Sequence, residues 1–578
     1  MDDKLKKIRH SLAHLLGAAV LELWPDTKLA IGPAVDNGFY YDFDFAKPVT
    51  DKDLGKIEQK MREIFKSWKD FKKTDVTEGE AKKIFGHNPY KTELIEEHAK
   101  AGDKLTTYTS GEFTDFCAGG HVENMKDVEK DAWKLSRVAG AYWRGDEKNK
   151  MLTRIYGLAF ATKADLEKYE TMIAEAEKRD HRKLGKDLDL FTFSPLVGPG
   201  LPLWTPKGTI LRNELDNFVW SLREAKGFQK VTIPHLTKKE LYETSGHWEK
   251  FADSLFKITT REGKEYAVKP MNCPHHTQIF ARMPHTYKNM PQRFAETTMV
   301  YRDEQSGELG GLTRVLSITQ DDAHIFCRHN QIRDEFNGIW DIIDRLYGTF
   351  GFELRVRLSF HDPKHAEKYL GTKEIWQNAE RELEAMAKAR GAKYFLGIGE
   401  AAMYGPKLDF MAMDSLGREH QVATIQLDMN LPERFDLSCV NEKGEKERIV
   451  MLHCAIMGSI ERFSAVLIEH LSGNFPLWLA PVQVKIVPVR DTHNEHAEKI
   501  AAELSAAGFR IDCDTSDGNM GKKIRDAKNN KIPYTVIIGD KDIEAGKISV
   551  ESRDKGQLGQ MPLAEFLEKM EKERKEKR

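Results

Sequence analysis

The chain has 578 residues, a length that suggests roughly three or four domains. Its 89 basic and 91 acidic residues give a formal net charge of −2, which excludes a global positive field and leaves any RNA contact to local patches. Six scattered cysteines do not form the pattern of a disulfide framework, and no apolar run reaches the ~18 residues of a membrane span. The N-terminal segment has acidic residues and histidines within its apolar stretch, unlike a secretory or transit peptide, so we predict a cytoplasmic location without membrane contact.

Three histidines and one cysteine in the N-terminal part of the chain form a candidate site. IRHSLAHLL places His10 and His14 four residues apart on one face of a predicted helix, and TDFCAGGH supplies Asp115, Cys117 and His121. Histidine with cysteine is a common zinc pairing, so a metal site is one interpretation. HSLAH lacks the glutamate of HExxH that acts as a base, which disfavours a zinc protease.

The residue pattern then changes at residues 163, 187 and 476. KADLEKYETMIAEAEKRDHRKLG has apolar residues at helical spacing, which predicts a charged, amphipathic linker helix over residues 163–186. Residues 187–475 mix strand and helix patterns without βαβ repetition, which indicates an α+β domain. From residue 476 the patterns predict strand, helix, strand, helix, strand, strand, a small α/β domain.

Two segments within residues 187–475 are suited to phosphate binding. In MVYRDEQSGELGGLTRVL, Arg302 and Glu304 close one apolar strand and Arg314 opens the next, which predicts a β-hairpin with a glycine-rich turn. In GSIERF, Arg462 lies one turn into a predicted helix that follows the strand ERIVMLHCAI. The planar fork of arginine bridges two phosphate oxygens. A single Arg-x-Glu triplet is more often a solvated ion pair, so the interpretation depends on all the segments together.

Three further residues in distant segments form a candidate metal set: Cys273 in KPMNCPHH, His324 in TQDDAHIFC and His453 in MLHCAIMG. Zinc sites that bind a substrate keep three protein ligands and leave room for an outside one. A lone Cys or His on an apolar strand is more often a packed core residue, and spacing cannot decide because no CxxC-type signature is present.

With these motifs the chain resembles the threonyl-tRNA synthetases, a family of class II aminoacyl-tRNA synthetases, over nearly its whole length. YRDE with Arg314 resembles motif 2 of that class, GSIERF resembles motif 3, and VTIPHL around Pro234 holds the place of motif 1, which forms the dimer interface. The resemblance implies a multidomain α+β protein: an α+β editing domain (residues 1–162), the linker helix (163–186), a class II catalytic domain with an antiparallel sheet (187–475) and an α/β anticodon-binding domain (476–578).

The resemblance also implies the activity, which is activation of L-threonine with ATP and transfer to tRNA(Thr) by a homodimer. Arg302 would grip the α-phosphate, Glu304 the adenine amine, and Arg314 and Arg462 the remaining phosphates of ATP, which carries Mg²⁺. The other catalytic residues implied are His247, the general base for transfer in SGHWEKF, and Lys407. The amino-acid pocket would comprise Met271, Gln320, Asp322, Tyr404, Thr424 and Gln426. Asp322 is the candidate for the substrate ammonium, by charge.

The family match, rather than spacing, assigns one Zn²⁺ per subunit to Cys273, His324 and His453. A metal that demands an oxygen ligand rejects valine, which lacks the hydroxyl of threonine. Serine differs from threonine only by a methyl group, worth ~1–3 kcal/mol, a limit for which these synthetases are the usual example. The resemblance therefore makes the N-terminal cluster a site that hydrolyses seryl-tRNA(Thr) without a required metal, which we favour over the zinc interpretation. Its residues would be His10, His14, Tyr41, Lys91, Asp115, Cys117 and His121.

In the C-terminal domain the family's base-reading positions fall on Asn519, Glu544 and Arg553. Four basic residues of this domain either meet the anticodon stem or form a solvated helix face: Lys522, Lys523, Arg525 and Lys528.

Two alternative functions remain for the whole chain. A noncatalytic tRNA-binding or regulatory descendant would be expected to lose motif arginines or zinc ligands, and a prolyl enzyme has no use for zinc because proline lacks a side-chain hydroxyl.

The sequence departs from the family pattern in a few places. Cys454 follows His453 where arginine is common, and RVLSIT replaces the usual second arginine after Arg314. Family members usually carry a small domain before the editing domain, and this sequence begins within a few residues of His10, as expected either for a lineage without that domain or for a trimmed chain. These departures leave the zinc geometry and the tRNA affinity open.

Overall fold

The structure is a computed structural model that describes residues 3–577, with residues 1, 2 and 578 outside the described part. Two compact units are present, residues 3–175 and 176–577. The elements of the first unit are α1 (Asp3–Leu23), β1 (Lys28–Leu29), β2 (Ala34–Val35), β3 (Gly38–Asp44), α2 (Leu54–Phe65), β4 (Lys72–Asp75), α3 (Glu78–Phe85), α4 (Pro89–Ala101), β5 (Thr106–Ser110), β6 (Phe113–Phe116), β7 (Trp133–Tyr142), β8 (Met151–Ala159) and most of α5 (Lys163–Arg179).

The first unit is built on two antiparallel sheets. One has the strand order β1-β3-β8-β7 with β2 also paired to β3, and the other has the order β4-β5-β6. The apolar side of α1 packs on α2 and β3, where Leu12, Leu16 and Phe39 are fully buried. This packing fixes the helix face that carries His10 and His14.

The linker differs from a single helix over residues 163–186. The structure has α5, which ends at Arg179, and a second helix, α6 (His181–Asp187). Asp180 leaves the helical conformation and its carboxylate accepts the N–H of Arg182 at 2.7 Å, which caps α6. A capping aspartate therefore interrupts the helix that the apolar spacing predicts.

The second unit begins with a large mixed region. Its elements are β9 (Phe191–Thr192), β10 (Leu203–Trp204), α7 (Pro206–Glu224), β11 (Gln229–Lys230), β12 (Leu236–Lys238), α8 (Lys239–Ser245), α9 (His247–Lys250), β13 (Lys257–Thr259), β14 (Glu265–Val268), α10 (Cys273–Ala281), β15 (Gln292–Tyr301), β16 (Ser317–Cys327), α11 (Ile332–Thr349), β17 (Glu353–Phe360), α12 (Lys373–Ala389), β18 (Tyr394–Ile398), β19 (Lys407–Met413), β20 (Glu419–Asp428), α13 (Asn430–Arg434), β21 (Ser438–Val440), β22 (Lys446–Arg448), β23 (Val450–Ser459) and α14 (Ile460–His470).

The central sheet of this region has the order β11-β15-β16-β23-β20-β19-β17-β18. Its neighbours are antiparallel except at the two edges, where β11 runs parallel to β15 and β18 to β17. Side chains alternate between the faces of a strand. On β16, Ala323 and Ile325 are fully buried in the main apolar core with α11, so Asp322 and His324 project from the opposite face.

The C-terminal region forms a second sheet, as the alternation of patterns predicts. Its order is β25-β24-β26-β27-β28, with parallel pairing among the first three strands and antiparallel pairing among the last three. The predicted fold class is confirmed, with a short helix and a terminal helix added. The elements are β24 (Val484–Pro488), α15 (Asn494–Ala506), β25 (Ile511–Cys513), α16 (Met520–Asn529), β26 (Tyr534–Ile538), α17 (Asp540–Ala545), β27 (Ile548–Ser552), β28 (Gly556–Met561) and α18 (Leu563–Glu576).

Within residues 3–577, no helix combines the length and the apolar character needed to cross a lipid bilayer.

Candidate active site

One cavity of about 750 Å³ in the second unit gathers most of the predicted catalytic-domain residues. Segments that are far apart in the chain meet there because β16, β23 and β20 are neighbours in the sheet. His247 is fully buried and does not line the cavity. The predicted residues that line it are Met271, Cys273, Arg302, Glu304, Arg314, Gln320, Asp322, His324, Tyr404, Lys407, Thr424, Gln426, His453 and Arg462.

Cys273, His324 and His453 are brought together at the inner end of this site. Cys273 begins α10, and His324 and His453 are directly paired across β16 and β23. One donor atom from each of the three lies within 4.8 Å of the others. His324 Nε2 and His453 Nδ1 are 3.1 Å apart, close to the ~3.3 Å edge of a tetrahedral site with bonds of about 2.05 Å. All three are nearly or fully buried.

Two residues that the sequence did not single out orient these imidazoles. Asp428 Oδ2 accepts His453 Nε2–H at 2.9 Å, while its Oδ1 accepts the N–H groups of Asn430 and Leu431 at 2.8 and 2.9 Å. His324 Nδ1 lies 2.7 Å from His276 Nδ1, and in the tautomer in which His324 donates this proton its Nε2 carries a lone pair. In that tautomer the lone pairs of His324 Nε2 and His453 Nδ1 face each other, an arrangement that a bound cation stabilises. The three residues therefore fit a metal ion. Asp428 and His276 hydrogen-bond to the outer nitrogens of the two imidazoles, as the groups behind metal-binding histidines commonly do.

Cys454, the thiol next to His453, lies on the other face of β23. It is 2% exposed and belongs to the main apolar core, opposite Ala323 on β16. Strand alternation separates it from the metal set. Burial raises the pKa of Cys454 to about 12, so it is a neutral, packed thiol.

The predicted amino-acid pocket adjoins the metal set. Asp322 Oδ2 accepts Asn272 Nδ2–H at 2.9 Å, and its Oδ1 lies 3.8 Å from His324 Nε2. Tyr404 stacks on the ring of His453 with 4.7 Å between ring centroids, and its hydroxyl donates to Gln426 Oε1 at 2.8 Å. A carboxylate, amide groups and an aromatic wall thus surround the position beside the candidate metal.

A buried carboxylate orders the side of the pocket formed by β19 and β20. Asp409 is fully buried and accepts Thr424 Oγ1–H at 2.8 Å. Lys407 Nζ lies 3.3 Å from the same carboxylate, and Arg357 Nη2 donates to it at 2.9 Å. Asp409, which the sequence analysis missed, thereby fixes two predicted residues.

The predicted phosphate residues surround the outer part of the cavity. Arg302 directly follows β15, and its guanidinium lies 5.4 Å from the ring centre of Phe251. Arg314 donates to Glu304 Oε2 at 2.6 Å and to Glu308 Oε2 at 2.8 Å, so the two ends of the β15–β16 connection are tied by ion pairs. Arg462 is exposed towards the cavity.

The start of α14 is shaped by glycine and serine. Gly458 has φ +78°, and a side chain there would place Cβ 2.7 Å from the carbonyl oxygen of Val422. Ser459 Oγ then accepts the N–H of Arg462 at 3.2 Å as the helix cap. These two residues set the direction in which Arg462 leaves the strand.

His247 stands behind the lining of the cavity. Ser245 Oγ donates to the carbonyl of Tyr242 at 3.3 Å and so accepts His247 Nδ1–H at 2.9 Å. His247 Nε2 then carries the lone pair, 3.2 Å from Met271 Sδ. Burial and the positive charges nearby lower the pKa of His247 to about 3, so its ring is neutral.

The first unit contains a second site, with a cavity of about 630 Å³. Donor atoms of His10, His14, Cys117 and His121 all lie within 4.8 Å of one another. Cys117 Sγ is 3.4 Å from His10 Nε2 and 3.5 Å from His121 Nε2, and it accepts the N–H of Gly119 at 3.2 Å. Burial raises the pKa of Cys117 to about 11 and lowers the pKa of His14 and His121.

A buried polar triad lies beside this cluster. Lys91 Nζ is 2.5 Å from Asp115 Oδ1 and donates to the Tyr41 hydroxyl at 3.1 Å. The Tyr41 hydroxyl donates to Asp115 Oδ2 at 2.5 Å. Lys91 and Asp115 are each about 3% exposed, and His14 Nε2 is 3.8 Å from Asp115 Oδ2. The seven predicted editing residues are therefore brought together in one unit.

The three predicted anticodon residues differ from one another in exposure and in hydrogen-bond partners. The side chain of Asn519 caps α16 by accepting the N–H of Gly521 at 2.7 Å, and Glu544 is exposed on α17. Arg553 Nη1 donates to the carbonyls of Phe475 and Lys531, both at 2.9 Å, and its other nitrogens pair with Asp554. Lys523 is buried and donates to the carbonyl of Asp514, so it does not lie on a solvated helix face. Lys522, Arg525 and Lys528 are exposed.

Three parts of the chain match known domain families. Residues 256–471 match the tRNA synthetase class II core domain (G, H, P, S and T), residues 483–573 the anticodon binding domain, and residues 105–156 the threonyl and alanyl tRNA synthetase second additional domain. The threonine–tRNA ligase of Porphyromonas gingivalis is 47% identical over 571 residues, which covers 98% of this chain and 87% of that protein. The chain belongs to the threonine–tRNA ligase family.

Other relatives agree with this assignment. The threonine–tRNA ligase of Thermus thermophilus is 46% identical over 587 residues, covering 99% of this chain and 89% of that protein. The crystal structure of the RNA binding domain of threonyl-tRNA synthetase from Cryptosporidium parvum Iowa II superposes with a TM-score of 0.65 at 37% identity, covering 68% of this chain and 98% of that chain.

Proposed function

We propose that the protein is a threonine–tRNA ligase that activates L-threonine with ATP, transfers it to tRNA(Thr) and hydrolyses seryl-tRNA(Thr). The observation that carries this proposal is the single cavity that holds both the motif arginines and the Cys273–His324–His453 set. A noncatalytic descendant has no need to keep both. We also propose the domain limits 1–162 for editing, 163–186 for the linker, 187–475 for catalysis and 476–578 for anticodon binding.

In the activation step, a carboxylate oxygen of threonine attacks the α-phosphorus of ATP, and the bond from that phosphorus to pyrophosphate breaks. Arg302 stabilises the charge on the α-phosphate, and Arg314 and Arg462 hold the leaving pyrophosphate with its Mg²⁺. Arg314 exchanges its ion pair with Glu304 for phosphate, which frees Glu304 for the adenine amine. Asp322 holds the substrate ammonium, supported by its carboxylate on the cavity wall. Lys407 adds positive charge at the same cavity.

Cys273, His324 and His453 would hold one Zn²⁺, since a thiolate with two imidazoles is an accepted set with a position left for substrate. When bound, the ion supplies Lewis acidity and a preference for an oxygen ligand, which a threonine hydroxyl satisfies and a valine methyl does not. Tyr404 and Gln426 close the pocket around the side chain, supported by their mutual hydrogen bond of 2.8 Å. Met271, Gln320 and Thr424 complete its wall.

In the transfer step, the terminal ribose hydroxyl of tRNA attacks the carbonyl carbon of the adenylate and AMP leaves. The hydroxyl proton passes to His247 Nε2, which carries a lone pair because Nδ1–H is donated to Ser245. Access to His247 requires movement of Met271, whose sulfur lies against that nitrogen.

Editing would take place in the first unit. Water attacks the ester carbonyl of seryl-tRNA, the ester bond breaks, and the tRNA hydroxyl leaves with a proton. His10, Cys117 and His121 surround this water, and the Lys91–Asp115–Tyr41 triad orients the serine. We propose that no metal is required, and equal deacylation before and after chelator treatment is the result expected.

The C-terminal domain would bind the anticodon through Asn519, Glu544 and Arg553. Arg553 reaches a base only by releasing the two carbonyls that it now holds, so it is an arginine positioned for induced fit. Exposed Lys522, Arg525 and Lys528 would contact phosphate.

A homodimer through the catalytic domain is supported by exposed apolar residues near motif 1. Leu236, two residues after Pro234, is 50% exposed, and Ile258 in the same three-stranded sheet is 38% exposed. The two side chains lie on the strands either side of β14, and exposed apolar patches commonly mark a protein interface.

A cytoplasmic location is also proposed, and all six cysteines are free.

The deciding experiment is amino-acid-dependent ATP–pyrophosphate exchange with threonine, serine, valine and proline. We expect exchange with threonine, weaker exchange with serine and none with valine or proline. Arg302→Ala should abolish it, while Arg355→Ala, which removes an arginine from an exposed ion pair with Glu419, should not. No exchange from folded, zinc-loaded wild type would favour the noncatalytic descendant.

The editing proposal has its own test. His10→Ala should leave threonine activation unchanged and cause seryl-tRNA(Thr) to accumulate. Unchanged deacylation of seryl-tRNA(Thr) by this variant would contradict the proposed site.

A further inference from the structure

An irregularity in the central sheet lies between two residues of the proposed amino-acid pocket. The pairing of β16 with β23 shifts register between Gln320 and Asp322, and Asp321 occupies the shift. Asp321 is fully buried, whereas its two neighbours line the cavity. The extra residues of this bulge are Ile456, Met457 and Gly458 of β23, which stand opposite Asp321. β16 keeps its regular pairing with β15, so strand alternation turns Asp321 into the protein and leaves Gln320 and Asp322 on the cavity wall.

The Asp321 carboxylate binds the backbone at the end of β23. Its Oδ2 accepts the N–H of Ile456 at 2.9 Å, and its Oδ1 accepts those of Met457 and Gly458 at 3.0 and 2.9 Å. Arg223, from α7, lies 3.2 Å from Oδ2 and balances the charge. Asp321 on the amino-acid side therefore fixes the backbone that leads into Ser459 and Arg462.

A second buried carboxylate makes the reciprocal connection. Glu461, in the first turn of α14, is 2% exposed. Its Oε2 accepts the N–H of Thr319 at 2.8 Å and the Ser459 hydroxyl at 2.9 Å, and its Oε1 accepts the Thr319 hydroxyl at 2.7 Å. Arg212, also from α7, donates to Thr319 Oγ1 at 2.9 Å. Glu461 on the nucleotide side thus fixes the strand that leads into Gln320.

We infer that Asp321 and Glu461 are positioning residues that hold the amino-acid pocket and the nucleotide-binding start of α14 in one fixed relation. The two carboxylates form a carboxylate clamp, in which each one, carried by one segment, binds the backbone of the other segment. Neither lines the cavity, so neither touches a substrate. The inference rests on the proposed function, because activation requires the threonine carboxylate to meet the α-phosphorus.

The clamp aligns the threonine carboxylate with the α-phosphorus of ATP. The contacts that bind either substrate by itself do not depend on it. A misplacement of about 1 Å between reacting groups costs roughly 100-fold in rate. We therefore expect Asp321→Asn and Glu461→Gln to lower kcat of threonine-dependent exchange by about ten- to hundredfold. The dissociation constants of threonine and ATP, each measured alone by calorimetry, should stay within about threefold of wild type. In Asp321→Asn the new amide NH₂ faces backbone N–H groups, which displaces the end of β23.

Asp414→Asn is the matched control. Asp414 is also a buried carboxylate that accepts two backbone N–H groups, those of Leu416 and Arg418 at 2.9 Å, but it does not line the cavity or bridge β16 and β23. Its kcat should equal that of wild type. If Asp321→Asn fails to fold, Glu461→Gln and Thr319→Val carry the test, since Thr319→Val removes one bond of the clamp at constant shape.

The coupling between threonine and a nonhydrolysable ATP analogue gives a second readout. Wild type should bind each more tightly in the presence of the other, and the clamp variants should lose this coupling. An unchanged kcat and coupling in folded variants would overturn the inference, as would an equal loss in Asp414→Asn or a parallel loss of both separate affinities. Absence of exchange from wild type would overturn the proposed function alone, because the coupling measurement does not depend on turnover.

Discussion

His324 and His453 are paired directly across β16 and β23, with His324 Nε2 only 3.1 Å from His453 Nδ1. These residues are 129 positions apart in the chain. The other nitrogen of each imidazole is engaged, that of His324 by His276 and that of His453 by Asp428, so the two facing nitrogens are the ones available to a metal ion. The pair therefore forms half of the proposed metal site, which Cys273 would complete.

Removal of the proposed thiolate ligand should abolish metal binding. We expect purified wild type to carry about one zinc per chain and Cys273→Ser to carry little, since a hydroxyl is a poor ligand for zinc beside imidazoles. Elemental analysis after dialysis measures this. Cys454→Ser is the matched control, because that thiol lies in the apolar core on the other face of β23 and should retain the metal. Equal zinc in Cys273→Ser and wild type would rule out the proposed ligand set.

Asp428→Asn should weaken zinc binding without removing a ligand. The backbone N–H groups of Asn430 and Leu431 hold Oδ1, so the new amide would present NH₂ to His453 Nε2 and force the proton onto Nδ1. Loss of such a partner lowers metal affinity about 10–100-fold. Competition with a chromophoric chelator measures the change. Zinc affinity equal to wild type would show that Asp428 does not set the tautomer.

A double-mutant cycle should show that the Lys91–Asp115 ion pair contributes to the free energy of unfolding. Lys91→Met leaves a buried carboxylate unpaired and should destabilise the first unit by about 3–5 kcal/mol, whereas Lys91→Met with Asp115→Asn should recover most of that stability. Denaturant unfolding measures both. The double variant should remain unable to deacylate seryl-tRNA(Thr), which separates the structural role of the pair from its editing role. Recovery of deacylation in the double variant would exclude the editing role.

A charged residue in place of exposed Leu236, in strand β12 near motif 1, should dissociate the proposed dimer. We expect Leu236→Asp to convert dimer to monomer in light scattering coupled to size-exclusion chromatography, because burial of an unpaired carboxylate opposes association. Met151→Asp, at an exposed methionine of the first unit, is the control and should leave the mass unchanged. A dimeric Leu236→Asp would place the interface elsewhere.

Local sequence determined much of the architecture. The alternation of strand and helix patterns after residue 476 predicts the C-terminal α/β region, and the His10–His14 spacing predicts one helix face, because these signals lie within single elements. The motif arginines and the metal candidates were also visible, through residue type and the family resemblance. The linker was less determined, because the capping carboxylate of Asp180 interrupts a helix that apolar spacing alone continues.

Tertiary structure decided what each polar residue touches. Asp428, His276 and Asp409 are ordinary polar residues in the sequence, and only the tertiary structure places them against predicted site residues. The same holds for Arg553, whose guanidinium is held by carbonyls of other segments. Hydrogen bonds between residues that are tens of positions apart leave no local pattern in the sequence, because they depend on how the elements pack and pair. The sequence therefore determined which chemistry this chain carries, and the fold decided which atoms meet to perform it.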